Sequence, residues 1–183
     1  GMEEILAQGI ELGRSFIQPA YWGRRGLDYL WQGIGAFLAR HPEYRYPFGP
    51  VSISGTLPLA ARDLLVAFYR CYFAAPAAMA HSRNPYPPTR ALEQEQFTGL
   101  DYQADLSRLK SLLDNMGCAI PTLYKQYSEL CETGGVQFMD FGTDPDFADC
   151  VDGLVLVDLS RLKAAKYQRY IAIHQSAGKE VAA

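Results

Sequence analysis

Two arginines flanked by glycines, Gly23-Arg24-Arg25-Gly26, stand just before an apolar run at Leu27, Leu30, Trp31, Ile34, Phe37 and Leu38. The run has the spacing of one helix face. Backbone amides at the helix start, the positive end of its dipole and two guanidinium groups would then converge on the loop, and that arrangement serves anion binding. Ahead of the loop, Ile10, Leu12 and Phe16 recur with a period of two, interrupted by Arg14, as in a strand with one buried face. Pro19 and Gly23 end that periodicity. The segment is read as strand, arginine-bearing loop and helix.

Other chemistries fit less well. Asp144, Asp146 and Asp149 place three carboxylates within six residues, but they lack the glycine and terminal glutamate of a calcium loop, so a turn with Asx-type caps is expected and no metal. There is no G-x-S-x-G elbow, and none of the three histidines has a cysteine or serine partner in sequence. No phosphate-cradling G-x-x-x-x-G-K-S/T motif is present. Cys71, Cys118, Cys131 and Cys150 form no C-x-x-C pair; they are expected to be reduced thiols in a cytosolic protein. The net charge of −3 gives no reason to expect nucleic acid as a partner.

The 183 residues suit one domain with an ordinary globular composition. Gly1-Met2 reads as a tag remnant. Residues 2–8 are a short helix or lead-in, and His41-Pro42 ends the helix after the loop. A second strand is expected over 44–54, with Pro47 and Pro50 demoting its beginning to an edge or bulge. Helices follow over 58–72, where Phe68, Tyr69, Tyr72 and Phe73 are expected in the core, and over 105–116 and 120–131. Residues 76–89 hold four prolines and form a loop of the kind that covers sites, carrying His81, Arg83 and Tyr86. Strands at 136–141 and 153–159 flank the acidic turn. A closing helix spans 160–171 with Ser160 as its N-cap, and the tail beyond 174 frays.

The stretch IQPAYWGRRG resembles motif A of the GNAT N-acyltransferases. More narrowly, ELGRSFIQPAY with the following LWQGIGAFLARHPEYRYPFGPVSIS, and later IPTLYKQY and DPDFAD, resemble the hemolysin-like branch that includes ornithine N-acyltransferases. The resemblance covers most of residues 10–171. It implies an α+β, GNAT-like three-layer α/β/α sandwich with a mixed central sheet. The strand at 10–17 would be the family's fourth, with the N-terminal strands absent from this stretch. A fragment of a longer enzyme or a naturally short relative is therefore expected, as one domain over 1–183 with a helical and loop insertion at about 57–117.

The resemblance also implies roles. Phe16 and Ile17 would pair with a pantetheine arm, and Trp22, Gly23, Arg24, Arg25 and Gly26 would hold the donor phosphate. The family's Q/R-x-x-G-x-G/A signature falls on residues 22–27 with neither glycine in register, which favours an acyl-carrier-protein donor over CoA. Glu11 is the expected general base, its pKa raised by partial burial, and Arg14 would pair with it or meet an acceptor carboxylate across a bulge. Cys131 stands where the family carries its tyrosine acid, so Tyr127 is the candidate proton donor. Ser52, Asp146 and Asp149 would meet the acceptor. The implied function is transfer of an acyl group from an acyl-carrier-protein or CoA thioester to an amino acid amine, as in ornithine-lipid synthesis, with no tightly bound cofactor. The implied location is cytoplasmic, with peripheral membrane contact through the lipid product. The alternatives are an acyl-homoserine-lactone-synthase-like enzyme and a catalytically silent thioester- or partner-binding module.

Overall fold

A computed structural model describes residues 2–76, 79–87 and 96–175. The fold is α+β, with a mixed four-stranded sheet in the order β1-β2-β4-β3. The elements in chain order are α1 (Met2–Ala7), β1 (Gly9–Glu11), α2 (Gly26–Arg40), β2 (Tyr46–Ile53), α3 (Leu59–Phe73), α4 (Tyr102–Asp114), α5 (Thr122–Ser128), β3 (Val136–Asp144), β4 (Cys150–Val157) and α6 (Ala164–Tyr167), which continues as a π turn over Gln168–Ala172. The residues group into two compact units: 1–48, 130–135 and 157–183 form one, and 49–129 with 136–156 the other.

In the first unit, β1 pairs in parallel with β2, Ile10 opposite Pro47 and Glu11 opposite Phe48, and the Leu12 amide adds a 2.7 Å bond to the Phe48 carbonyl. Helix α2 buries Trp31, Gly35 and Leu38. It ends where the His41 amide reaches back to the Phe37 and Leu38 carbonyls and Pro42 cannot continue. Against it lies the C-terminal helix, with the Trp31 and Tyr170 rings 6.2 Å apart and Ile171 buried. Gly35 makes that approach work. A β-carbon there would stand 1.8 Å from the Tyr170 carbonyl oxygen.

Arg45 holds Asp158 through two bonds, Nε to Oδ1 at 2.9 Å and Nη2 to Oδ2 at 2.8 Å. Asp158 also accepts the Ser160 amide, so Asp158 and not Ser160 caps the turn that follows β4. Around this pair the backbone is laced: Asp158 N–H to Gly135, Leu159 N–H to Arg45, Glu132 N–H to Arg161 and Lys163 N–H to Leu130.

The second unit has an aromatic core, as the α3 pattern predicted. Phe68, Tyr69, Tyr124, Phe138 and Phe141 are all buried. Tyr69 meets Tyr124 edge-on at 4.8 Å, and Phe138 stacks on both Tyr124 and Phe141. The Tyr124 hydroxyl donates to the Val51 carbonyl at 2.8 Å. Asp105 on α4 is buried and saturated by the Tyr72 hydroxyl, the Thr98 amide and hydroxyl, and the Gly99 amide. Asp101 caps α4 through the Gln103 and Ala104 amides, so that helix starts three residues earlier than its apolar spacing suggests.

Several expectations are corrected. The first strand stops at Glu11, because Arg14 adopts a left-handed conformation at φ 55° and breaks the alternation that points to Phe16. Strand β2 is an interior strand in spite of Pro47 and Pro50; Val51 and Ile53 face inward, and Ser52 outward. The helix expected over 120–131 is only Thr122–Ser128. The closing helix breaks into a 3-10 turn, a short α segment and a π turn. The tail expectation from residue 176 on, and parts of the 76–89 loop, lie outside the described residues.

Three substitutions in the first unit test its packing and its ion pair. Gly35→Ala forces the α2 backbone away from Tyr170 and should cost about 2–3 kcal/mol in a urea melt. Gly33→Ala, where a β-carbon meets nothing within 4 Å, should gain about 0.5–1 kcal/mol. Arg45 holds Asp158 down at about 2, below the ~3.9 of an unfolded aspartate. A depressed carboxylate pKa stabilises the fold above its unfolded value, and this is lost as pH falls from about 4 to about 2. Asp158→Asn should therefore remove about 1–2 kcal/mol at neutral pH and flatten the acid limb of a pH–stability curve.

Candidate functional site

The arginine loop builds itself. Its chain turns through a 3-10 segment, Pro19–Tyr21, in which the Tyr21, Trp22 and Arg24 amides donate to the Gln18, Pro19 and Tyr21 carbonyls. The Trp22 indole N–H closes the loop on the Ile17 carbonyl at 2.7 Å. Gly26 sits under Ile17, whose Cγ2 would lie 3.0 Å from a β-carbon at 26. Ile17, Trp22 and Gly26 are thus brought together, with Gly23, Arg24 and Arg25 between them, while Phe16 and Trp22 stay exposed.

Helix α2 begins at Gly26 behind Arg25, which offers no side-chain cap. The first-turn amides of such a helix have no intrahelical acceptor. The nearest carboxylate is Asp28, which accepts Arg25 at 2.7 Å, Arg169 at 2.6 Å and the Tyr170 hydroxyl at 3.3 Å. Arg25, then Arg169, hold its pKa below the usual aspartate value. One loop guanidinium is therefore committed to the fold, whereas no ion pair among the described residues holds Arg24 or Arg14.

Glu11 ends β1 and is exposed rather than partly buried, and its carboxylate folds over Gly13. No ion pair joins it to Arg14 among the described residues. Beside it lies a feature that sequence reasoning missed, an open apolar trough of about 370 Å³ lined by Ile10, Leu12, Leu30, Gly33, Ile34 and Phe37 among others. The signal was in the sequence: the α2 apolar face is too wide for one neighbour, so Trp31 and Leu38 face the core while Leu30 and Phe37 do not.

The remaining candidates belong to the second unit. Tyr127 on α5 is buried, which pushes its phenol up to about 12. Burial also pushes the Cys131 thiol, in the first unit, up to about 12. Ser52 donates to Asp152 at 2.5 Å across β2 and β4. Asp152 in turn lines a cavity of about 320 Å³ with Asp140, Asp144, Asp146, His81 and Arg83. Of the three acceptor candidates, Asp146 lines this cavity and Ser52 reaches it through Asp152. Asp149 lies apart, at a left-handed turn position, with its carbonyl accepting Arg62. The acidic segment is an Asx-capped turn, Asp144 accepting the Asp146 amide. Among the described residues no His, Cys, Asp and Glu cluster has a metal-holding arrangement.

The segment over 79–87 forms a strap along β3. The Ser82 amide donates to Asp140, the Tyr86 amide to the Phe141 carbonyl, and the Asn84 carbonyl accepts the Thr143 amide. Gly142 permits the approach, since a β-carbon there would meet the Ser82 Oγ at 1.9 Å. The buried Tyr86 hydroxyl donates to Asp63 at 2.5 Å. Tyr86→Phe should cost about 1–3 kcal/mol by taking a donor from a buried carboxylate, and hydrogen exchange at Ser82 and Tyr86 should accelerate relative to that of the β4 amides.

Comparison with known proteins now adds to this geometry. A family model described as an acetyltransferase (GNAT) domain matches residues 1–32. A glycine N(alpha)-acyltransferase of Bacteroides thetaiotaomicron is 27% identical over 181 residues, covering 93% of this chain and 52% of the relative. One of Phocaeicola vulgatus is 25% identical, covering 93% and 54%. An L-ornithine N(alpha)-acyltransferase of Brucella abortus is 41% identical over 51 residues, which is 28% of this chain and 18% of the relative. The chain spans about half the length of the glycine N(alpha)-acyltransferases it matches. No solved structure matches.

Proposed function

We propose that this chain belongs with the GNAT-type N-acyltransferases and transfers a long acyl group from a thioester, on an acyl carrier protein or CoA, to the amine of an amino acid. The observation that carries the reading is similarity to glycine N(alpha)-acyltransferases across nearly the whole chain. The trough beside β1 and α2 supports a long apolar substituent, being of a size and lining suited to one. The self-satisfied amides of Tyr21, Trp22 and Arg24 support a carrier-protein donor. Fewer loop amides are then available to a pyrophosphate, and a single phosphate demands fewer.

In this reading Arg24 and the first-turn amides of α2 meet the donor phosphate, and Phe16, Ile17 and the glycines flanking the arginines shape its approach. Glu11 accepts a proton from the acceptor ammonium, directly or through water. The freed amine attacks the thioester carbonyl and the C–N bond forms as the C–S bond breaks; the second proton of the nitrogen passes through water to the leaving thiolate, whose sulfur accepts a hydrogen bond from Tyr127. Arg14 offers its guanidinium to an acceptor carboxylate. The cavity with Asp146 and Asp152 supports an acceptor carrying a second cationic group, such as ornithine, with Ser52 orienting Asp152 and Asp149 shaping the turn. An N-acylated amino acid of this kind is a lipid, so the proposal includes product release at a membrane surface.

A catalytically silent thioester-binding module is the second reading, favoured by the exposure of Glu11. Intact-mass detection of product separates the two, with long-chain acyl carrier protein and acyl-CoA offered alongside glycine and ornithine. Glu11→Gln should lower the transfer rate about 100-fold or more with the donor still bound. Gly33→Leu, which fills the trough, should slow long-chain transfer about tenfold and spare short-chain transfer. Absence of product from either donor, or an unchanged rate in Glu11→Gln, would sink the catalytic reading.

A further inference from the structure

Residues 12–27 contain Arg14, Arg24 and Arg25 and no aspartate or glutamate, in a chain whose net charge is −3. The same segment exposes Phe16 at 76%, Trp22 at 68% and Tyr21 at 56% of their surfaces. Large rings at that exposure, clustered with guanidinium groups on one loop, are uncommon on a purely aqueous surface. They are the residue types enriched where a protein meets the headgroup region of a bilayer. We propose that, in the chain free of donor and acceptor, this loop docks the protein reversibly on an anionic lipid surface, with Phe16 and Trp22 entering the headgroup boundary and Arg14 and Arg24, which substrates would otherwise engage, meeting lipid phosphates.

Two details favour lipid over a folded protein as the occupant. The Trp22 indole N–H already donates to the Ile17 carbonyl, so its ring can leave water without stranding a donor. The Tyr21, Trp22 and Arg24 amides are likewise satisfied inside the loop. A loop that keeps these donors internal offers rings and diffuse positive charge, which suits a fluid surface lacking fixed acceptor positions. Arg25 is held by Asp28, and Arg14 and Arg24 have no carboxylate partner among the described residues, so the charge facing outward is cationic.

The two tryptophans make the test direct, because Trp31 is only 9% exposed and Trp22 reports on the loop. The chain without substrates is mixed with phosphatidylcholine vesicles, with or without phosphatidylglycerol, at low salt. Co-sedimentation and a blue shift of Trp22 emission are expected with phosphatidylglycerol only. The Trp22→Phe chain should still sediment and lose the shift. Phe16→Ser with Trp22→Ser should weaken partitioning about tenfold or more, and Arg14→Ser with Arg24→Ser about twentyfold, near fivefold for each arginine. The Arg14→Ser with Arg24→Ser chain should melt like the parent, since those side chains are exposed, while the Trp22 variants lose the bond to Ile17 and are compared with the parent by thermal melting before their binding is read. Failure to sediment with either vesicle, or equal binding by the ring-deleted chain, would overturn the proposal. So would a Trp22 shift produced by an acyl carrier protein and not by vesicles, which would assign the loop to an acidic protein face. None of these readouts requires acyl transfer, so their failure is distinct from failure of the enzymatic reading.

Discussion

The Asp28 carboxylate, one turn into α2, governs how charge is distributed over the first unit. It takes Arg25 from the loop and Arg169 and Tyr170 from the C-terminal helix. A carboxylate near a helix start is favourable in its own right. Here it also joins three segments, and its own partners lie up to 142 residues away in sequence. The consequence reaches the loop: of its two adjacent arginines, one is spent on the fold and the other is left to face solvent. A phosphate arriving at the α2 start would meet one unpaired guanidinium and a nearby carboxylate whose charge is offset by Arg25 and Arg169. That electrostatic supply is modest, and it is one of the grounds on which the proposed reading prefers a donor with a single phosphate.

The second unit follows a parallel rule with buried carboxylates. Asp105 collects four donors, from Tyr72, Thr98 and Gly99, and Asp63 takes the Tyr86 hydroxyl. Buried charge is tolerable only when it is hydrogen-bonded this fully. The tyrosines doing this work come from an aromatic core and from the strap, so polar anchoring and apolar packing share the same residues. The strap in turn brings His81 and Arg83 to the acidic cavity. Over its described residues 79–87, the proline-rich loop expected to cover a site is pinned along β3 and lines that cavity.

How much of this was legible depended on whether a signal was local. Helix α2 was readable because Leu27, Leu30, Trp31 and Ile34 repeat at helical spacing, and α3 because Ala61, Leu64, Leu65 and Phe68 do. The first strand was overextended because alternation of apolar residues is necessary for a half-buried strand and not sufficient. Phe16 keeps the period, but Arg14 turns left-handed and Phe16 points to solvent. The pairing of Ser52 with Asp152 bridges 100 residues and requires the strand register, which no local pattern contains. The trough depended on knowing which part of a wide apolar face would find a neighbour. The resemblance to the GNAT acyltransferases was legible through the loop motif, and the similar N-acyltransferases agree with it, whereas the burial of Glu11 expected from that resemblance is not found, since Glu11 is exposed.

The leaving group sets the sharpest chemical constraint. Burial pushes Tyr127 up to about 12, while a simple thiol lies near ~8.5. Moving a proton from such a phenol to the departing thiolate is uphill by more than three units, or about 5 kcal/mol. In the proposed reading Tyr127 is therefore assigned as a hydrogen-bond donor to the developing negative charge on sulfur rather than as an acid that completes the transfer. Cys131, at the sequence position of the family's tyrosine, is no better an acid, being buried and also raised to about 12. A thiolate is already a competent leaving group near neutral pH, so the step that most needs help is removal of the proton from the ammonium. In the proposed reading the balance of the chemistry thus falls on the base, the role given there to Glu11 at the end of β1.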